Sequence, residues 1–261
     1  MNNVNKTLYI PLYGKAYVRK QGLFLQDTKA EQIWEAEGFP LKGKAKSKWL
    51  AYYMGMRSAV FDLWLEEKLK AHPDAVVLHP GCGMDSRVLR VQSTAAAWFD
   101  LDFPEVVEER RRYFAESDRY HMVPSDVRDT GWLEAVPKDG HGILVMEGLS
   151  MYLQPEELKA LLQAVRGHFS SVDILMDSYT VFAAKATKYK NPINEVGVTQ
   201  VYGLDDPREL EEAGIRFVAE HELTPETMIC QLKGLEQKFF RRMFAGKMAK
   251  KIYRLYEFTG V

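Results

Sequence analysis

Cysteine is scarce in this chain: Cys82 and Cys230 are the only two in 261 residues. They are too few and too far apart in sequence to suggest a disulfide framework or a zinc site, and a reducing compartment is the expectation. An excess of one charge is missing as well, with 35 basic against 36 acidic side chains and a net charge of -1. Nothing global would draw in a nucleic acid or an anionic membrane, so the expected partner is a small molecule. No apolar run approaches the roughly 18 residues of a membrane span. Met1 to Lys6 is polar with no signal-type core behind it, and a soluble, cytoplasmic protein is expected. Repeats and low-complexity segments are absent too. The six histidines, His72, His79, His121, His141, His168 and His221, never fall at metal-ligand spacing with a cysteine or carboxylate, so no metal is expected. What is present is ordinary globular composition, 46% hydrophobic and 27% charged, enough for one domain over 1–261.

Residues 1–70 read as a helical cap. Thr28 followed by Glu31 suggests a capping box, Ile33, Trp34 and Phe39 supply apolar anchors, and Gly38 and Pro40 break the chain. From Ser47, the spacing of Trp49, Leu50, Tyr53, Met56, Val60, Phe61 and Trp64 predicts a long helix that Pro73 stops. The texture then changes. Ala75 to Leu78 is a short apolar run ending in Gly81-Cys-Gly83, the pattern of a buried strand feeding a tight turn. Ala95 to Phe99 reads as a strand ending in Asp100-Leu-Asp102, followed by a helix over Glu105 to Ala115. Ile143 to Met146 ends in Glu147-Gly148, Pro155 opens a helix to His168, and Val172 to Met176 ends in Asp177. Alternating strands and helices predict an α/β fold with a mostly parallel sheet, helices on both faces and a ligand crevice at the carboxyl ends of the strands.

That assigns 71–178 to a cofactor-binding core and 179–213, including Asn191-Pro, to a segment covering the crevice. Residues 214–261 would supply closing strands at Ile215 to Ala219 and Ile252 to Phe258, with a helix between them. In this tail, basic residues from Lys238 to Arg254 interleave with Phe239, Phe240, Met243 and Phe244. A packed helix with a solvated basic face, broken near Gly246, is preferred to a membrane-surface helix.

The chemistry gathers at the strand ends. Gly81 and Gly83 allow a sharp turn and close approach of a ligand to peptide N–H groups. The third glycine of a dinucleotide fingerprint is replaced by Ser86, which counts against a nicotinamide or flavin. Asp102, 19 residues after Gly83, can accept from both ribose hydroxyls of an adenosine. Asp126 follows the third strand and can accept from an adenine amine, and Glu147 ends the fourth. Carboxylates at three strand ends suit a ribose, an exocyclic amine and a cationic head, and would repel a pyrophosphate. S-adenosylmethionine has those features.

The segment Leu78-His-Pro-Gly-Cys-Gly-Met-Asp-Ser-Arg87 resembles the glycine motif of the leucine carboxyl methyltransferase family. Trp98 to Val107 resembles its second-strand signature, Ser125-Asp-Val-Arg128 its adenine segment, and Met146 to Leu153 its fourth-strand block. Thr7 to Lys15, Arg57 and Tyr202 to Pro207 extend the similarity over most of the chain, closest to the bacterial branch with polyketide-acid O-methyltransferases. The resemblance implies a class I, Rossmann-like methyltransferase fold of seven strands, the last antiparallel, with an N-terminal helical cap and a late cap insertion. It implies that Gly81 and Gly83 line S-adenosylmethionine, Asp102 holds ribose, and Asp126 and Val127 contact adenine. Glu147 would hold the methionine portion, Arg57 would pair with the cofactor's carboxylate, and Lys15 would also contact the cofactor. Pro80 and His79 depart from the family's usual residues before the first glycine, and Pro80 cannot donate an N–H there.

The expected reaction is in-line methyl transfer to the carboxylate of a small organic acid. A carboxylate with a pKa of about 4 is already ionised at neutral pH and needs no general base. A phenol with a pKa of about 10 would need one, and His79, Tyr152 and Tyr179 are the candidates near the crevice. The bland readings are that His79 satisfies a backbone group, that the two tyrosines are walls, and that Asp85 and Arg87 fix the turn. A protein C-terminal carboxylate as acceptor, or an S-adenosylmethionine-binding regulator without turnover, are the rival readings.

Overall fold

The computed structural model describes residues 8–38, 41, 43–91, 95–186 and 200–261. Phe39, Pro40 and Asn191-Pro, singled out in the sequence, lie outside the described residues. The cap begins with α1 (Tyr9–Lys20), α2 (Thr28–Glu37) and α3 (Lys48–Ala71). Helix α2 is not capped by Thr28. Asp27, one residue earlier, is the N-cap and its carboxylate accepts the Ala30 N–H at 2.8 Å, because a carboxylate is a stronger acceptor than a hydroxyl for that orphan donor. The left-handed Gly38 ends α2, and Ser47 caps α3.

Seven strands follow: β1 (Val76–Pro80), β2 (Ala97–Asp102), β3 (Tyr120–Pro124), β4 (His141–Met146), β5 (Ser171–Tyr179), β6 (Arg216–His221) and β7 (Tyr253–Gly260). They form one sheet in the order β3-β2-β1-β4-β5-β7-β6. The first five pair in parallel, and β7 runs antiparallel between β5 and β6. This is the mostly parallel sheet that the alternation predicted, in the class I methyltransferase arrangement that the resemblance implied. Strand β1 runs on through His79 and Pro80, and β5 extends past Asp177, so both are longer than their apolar runs. Their polar ends are held by side-chain bonds. After the one-turn α4 (Arg87–Arg90), helix α5 (Pro104–Arg111) is shorter than the expected stretch to Ala115, and the short helices α7 (Val181–Ala186) and α8 (Glu226–Ile229) come later in the chain.

Alternation along each strand sorts the core into two layers. Leu78, Phe99, Leu144, Ile174 and Met176 face α6 (Pro155–His168), which buries Leu158, Leu161, Leu162 and Val165 at helical spacing. Val77, Trp98, Ile143, Val145 and Leu175 face the cap helices, through Ile33, Phe61, Trp64 and Leu65. Beyond β6, α9 (Gly234–Phe244) buries Phe240 and leaves Lys238, Arg241 and Arg242 exposed, and the chain breaks at Gly246 with positive φ, as expected. Among the described residues no helix is long and apolar enough to cross a membrane.

One polar knot sits inside this layered core. Asp100, on β2, accepts from His79 Nδ1 and Trp98 Nε1, each at 2.9 Å, from the Tyr120 hydroxyl at 2.7 Å, and from Arg110 of α5. Arg110 Nη1 donates onward to the Gly83 carbonyl at 2.9 Å, tying α5 to the glycine turn. Burial alone would raise the Asp100 carboxyl, but Arg110 and then His79 outweigh it and hold it at about 2. Because this pKa is lowered on folding, the stabilisation is present above the unfolded carboxylate value of about 4 and is lost as the pH falls toward 2. Arg110→Met, which strands the buried carboxylate, is expected to lower stability at pH 7 by about 3–5 kcal/mol. Urea unfolding of this variant should also show a shallower loss of stability between pH 4 and 2 than the parent chain. An unchanged acid limb would show that Asp100 is not the group that titrates.

Candidate active site

The carboxyl edge of the sheet opens into a cavity of about 300 Å³. Its walls include Gly81, Gly83, Asp102, Asp126, Val127 and Glu147 from the strand ends, and Lys15 and Arg57 from the cap. All eight residues that the sequence proposed for cofactor binding therefore line one space. The glycine turn shapes its floor. Gly81 and Gly83 both have positive φ, and a Cβ at Gly81 would come within 3.1 Å of Leu149, so a larger residue is disfavoured by conformation and by space.

Asp102 stands at the tip of β2, half-buried. Its Oδ2 accepts the Gly83 N–H and its Oδ1 the Phe103 N–H, both at 2.8 Å. Each oxygen keeps a second acceptor position, so the carboxylate is oriented by backbone yet still able to bind hydroxyls. Burial raises its pKa, and the two N–H groups moderate the rise. Asp126 follows β3 as expected, but Arg128 engages it, with Nε at 2.9 Å and Nη2 closer still, and lowers its pKa. The carboxylate that sequence reading left free for an amine is thus shared with a neighbouring guanidinium on the same exposed turn. Val127 is buried beside it.

Glu147 is the hub of a buried ion network. Arg57 donates Nε to its Oε1 at 3.1 Å, and Arg87 reaches its Oε2. Arg57, 5% exposed, is no snorkelling surface arginine: Nη1 lies 3.2 Å from the Tyr253 hydroxyl and from Asp177. Lys15 lies 2.8 Å from Asp85, whose carboxylate also receives Arg87 and Arg90. Arg87, fully buried, bonds Asp62 at 2.7 Å and Ser58 at 3.2 Å on α3. Asp85 and Arg87 thus have the structural role that the sequence suggested. Burial would raise Glu147, but Lys15, Arg87 and Arg57 hold it at about 2. At Asp177 burial wins over Arg57 and, with Glu147 adding to the rise, pushes the carboxyl up to about 6.

His79 does not satisfy a backbone group. Its Nδ1 meets Asp100 at 2.9 Å and Nε2 meets Arg87 at 3.2 Å, so both ring nitrogens are engaged by side chains. Tyr152, in a 3₁₀ turn over Ser150–Tyr152, and Tyr179, at the end of β5, line the cavity as walls, and the Tyr179 ring packs edge-on against Tyr253 at 4.9 Å. Tyr253 itself was missed. It lies on β7, in a segment recognised only as a closing strand, and no local pattern indicates that this strand returns to the site. Arg90, Asp27 and Asp62 were missed for a similar reason, since their partners are distant in sequence.

This donor and acceptor set fits S-adenosylmethionine: acceptors for hydroxyls at Asp102, an anion for the ammonium at Glu147, and cations for the carboxylate at Lys15 and Arg57. Comparison with known proteins agrees. The family profile named leucine carboxyl methyltransferase matches residues 5–166. The chain is 27% identical to the tetracenomycin polyketide synthesis O-methyltransferase TcmP of Streptomyces glaucescens, over 99% of this chain and 97% of that protein. It is 31% identical to the S-adenosyl-L-methionine-dependent methyltransferase dpfgK of Gibberella zeae, over 64% of this chain and 61% of the relative. Among solved structures, a putative methyltransferase from Thermobifida fusca superimposes with a TM-score of 0.55 at 14% identity, covering 83% of this chain and 88% of that one. The magnesium protoporphyrin IX methyltransferase of Synechocystis gives 0.51 at 11% identity, covering 95% and 100%. These two share the fold. With a profile match over more than half its length, the chain belongs to the leucine carboxyl methyltransferase family of S-adenosylmethionine-dependent enzymes.

Proposed function

We propose that this protein methylates the carboxylate of a small, largely apolar organic acid of the polyketide type. The observation that carries this reading is the engagement of His79. It is the histidine among the described residues of the cavity wall, and both its nitrogens are held by Asp100 and Arg87. Neither ring nitrogen is open toward an acceptor's hydroxyl, so His79 is poorly placed to deprotonate a phenol. A carboxylate acceptor asks for no such group, being ionised at neutral pH.

S-adenosylmethionine supplies an electrophilic methyl group on a sulfonium. The protein's residues bind, orient and exclude water. Asp102, fixed by the Gly83 and Phe103 N–H groups, offers its remaining acceptor positions to the ribose hydroxyls. Lys15, Arg57 and Glu147 already form a buried array of alternating charge, which matches a zwitterionic amino-acid head with little rearrangement of the side chains. Leu8, Ile10, Pro11, Leu50 and Met54 line the cap side of the cavity, and Met151 and Tyr152 approach from the end of β4. An acid with an apolar body fits such a wall, and losing its hydration shell there raises the reactivity of its carboxylate. TcmP, named for polyketide synthesis, and the carboxyl acceptor in the family's own name support this choice of substrate.

Two measurements check the reading. Turnover with an aromatic or polyketide-like acid, at saturating acceptor and cofactor, is expected to stay flat from pH 6 to 9. A rate that climbs about tenfold per pH unit, or turnover with phenols and none with acids, would replace the carboxylate by a hydroxyl acceptor. Asp102→Asn should weaken S-adenosylhomocysteine binding roughly 10–100-fold by calorimetry, the loss expected for charge-assisted hydrogen bonds to two hydroxyls. Its thermal midpoint should fall only modestly, because Asn keeps an oxygen for one of the two backbone N–H groups, of Gly83 and Phe103, and loses the acceptor for the other. Unchanged affinity would remove Asp102 from the nucleoside site.

A further inference from the structure

The fold brings three metal-ligating side chains together at the edge of the sheet opposite the cofactor cavity. His72 is the C-cap of α3, His141 opens β4, and Asp173 is the third residue of β5. One ligand atom from each lies within 4.8 Å of the others. Sequence spacing could not show this, because 69 residues separate the two histidines and only the pairing of β4 with β5, under the end of α3, makes them neighbours. We propose that His72, His141 and Asp173 form a site for one divalent transition-metal ion of the zinc or nickel kind, clamping the end of the cap helix to the sheet.

The pair formed by His141 and Asp173 is already close to the required geometry. His141 Nε2 lies 3.1 Å from Asp173 Oδ2. Two bonds of about 2.0–2.1 Å to a common ion, opening an angle of about 100°, span the same distance. The other ring nitrogen, Nδ1, lies 2.7 Å from Ser171 Oγ, which can accept its N–H and leave Nε2 free to ligate. Asp173 is oriented in the same manner, since Lys68 Nζ holds its Oδ1 at 3.3 Å. The charge of Lys68 does not close the site to a cation. Its nearer contact is Glu257 at 2.7 Å, so two carboxylates face one ammonium and a net negative charge remains.

His72 supplies the moving part. Its ring stacks on that of His141, with centroids 3.7 Å apart and planes 15° from parallel. Parallel rings cannot both direct their in-plane lone pairs at one ion, so binding requires the His72 ring to swing. The side chain is exposed at the C-cap of α3, where such a rotation meets little resistance. Two imidazoles and one carboxylate form a nitrogen-rich set suited to zinc, nickel or copper and poorly suited to calcium or magnesium, with water completing the coordination. Binding replaces the contact between His141 and Asp173 and ties α3 to the amino ends of β4 and β5.

The test uses the full chain, freed of any histidine tag. Calorimetric titration with zinc chloride, and separately with nickel chloride, should show one ion per chain, accompanied by proton release and a raised thermal midpoint. His72→Ala and His141→Gln should each weaken zinc binding more than tenfold. His72→Ala, a surface change, should retain the parent's midpoint in EDTA and its affinity for S-adenosylhomocysteine, which separates loss of the site from loss of the fold. Cobalt in place of zinc should give a visible absorption spectrum that depends on both histidines. The proposal is overturned if the parent binds no zinc at a single saturable site, or if zinc affinity survives either substitution.

Discussion

The constraint on which the rest of the structure depends is the exclusion of water from a cluster of opposed charges. Arg87 carries a full charge with no exposure, and it persists there because Asp62, Asp85 and Glu147 all lie within bonding distance. Removing guanidinium and carboxylate groups from water is costly, and only dense mutual pairing offsets it. The cluster spans distant parts of the chain: Asp62 comes from α3, Asp85 and Arg87 from the turn after β1, and Glu147 from the tip of β4. Each partner would be a stranded charge without the others. The cap helices and the sheet are therefore locked at this edge by electrostatics, and elsewhere by apolar packing of Phe61, Trp64 and Leu65 on the strands.

The same network explains how a binding site for a zwitterion can exist before the ligand arrives. Lys15 and Arg57 are aimed by Asp85 and by Glu147 with Asp177, so their orientation does not depend on the ligand's carboxylate. The depressed pKa of Glu147 keeps it anionic across the whole physiological range, ready to receive an ammonium group. Asp177 carries the opposite perturbation. It is buried behind Arg57, close to a second carboxylate, and its ionisation is correspondingly disfavoured. Arg57 thus sits between one carboxylate held far below neutrality and one raised to about 6.

Much of this was legible in the sequence, for an identifiable reason. Strand-end positions are local features: an apolar run followed by a polar residue fixes where Asp102 and Glu147 fall, and the topology of a parallel sheet then brings both to one edge. Gly81 and Gly83 were legible because a tight turn demands positive φ. What was not legible is pairing at long range. Nothing near Asp27 shows that it will receive Arg90, and nothing near Tyr253 shows that it will meet Arg57. His79 illustrates the boundary. Its placement at the end of a strand was readable, but its partners, Asp100 on the neighbouring strand and Arg87 beyond the turn, follow from register and burial. The Thr28 cap failed on a smaller scale, where an adjacent carboxylate competed for the same N–H.

Because the cap supplies Lys15 and Arg57 while the sheet supplies Asp102 and Glu147, neither half alone can complete the cofactor site. Detaching α1 and α3 would remove both cations and, in the same motion, take Arg57 from Glu147 and Lys15 from Asp85. Under the proposed function, the penalty for that separation falls on residues that would also hold the cofactor's head group, so cofactor affinity and cap attachment would be coupled. The apolar wall completes this coupling. Leu8, Ile10, Pro11, Leu50 and Met54 come from or just precede the helices that carry Lys15 and Arg57. Under that same function, an acceptor resting on that wall would press onto the sheet the same elements that the cofactor's head group would. Cofactor and acceptor should then favour each other's binding through the seating of the cap, without any contact between them beyond the transferred methyl group.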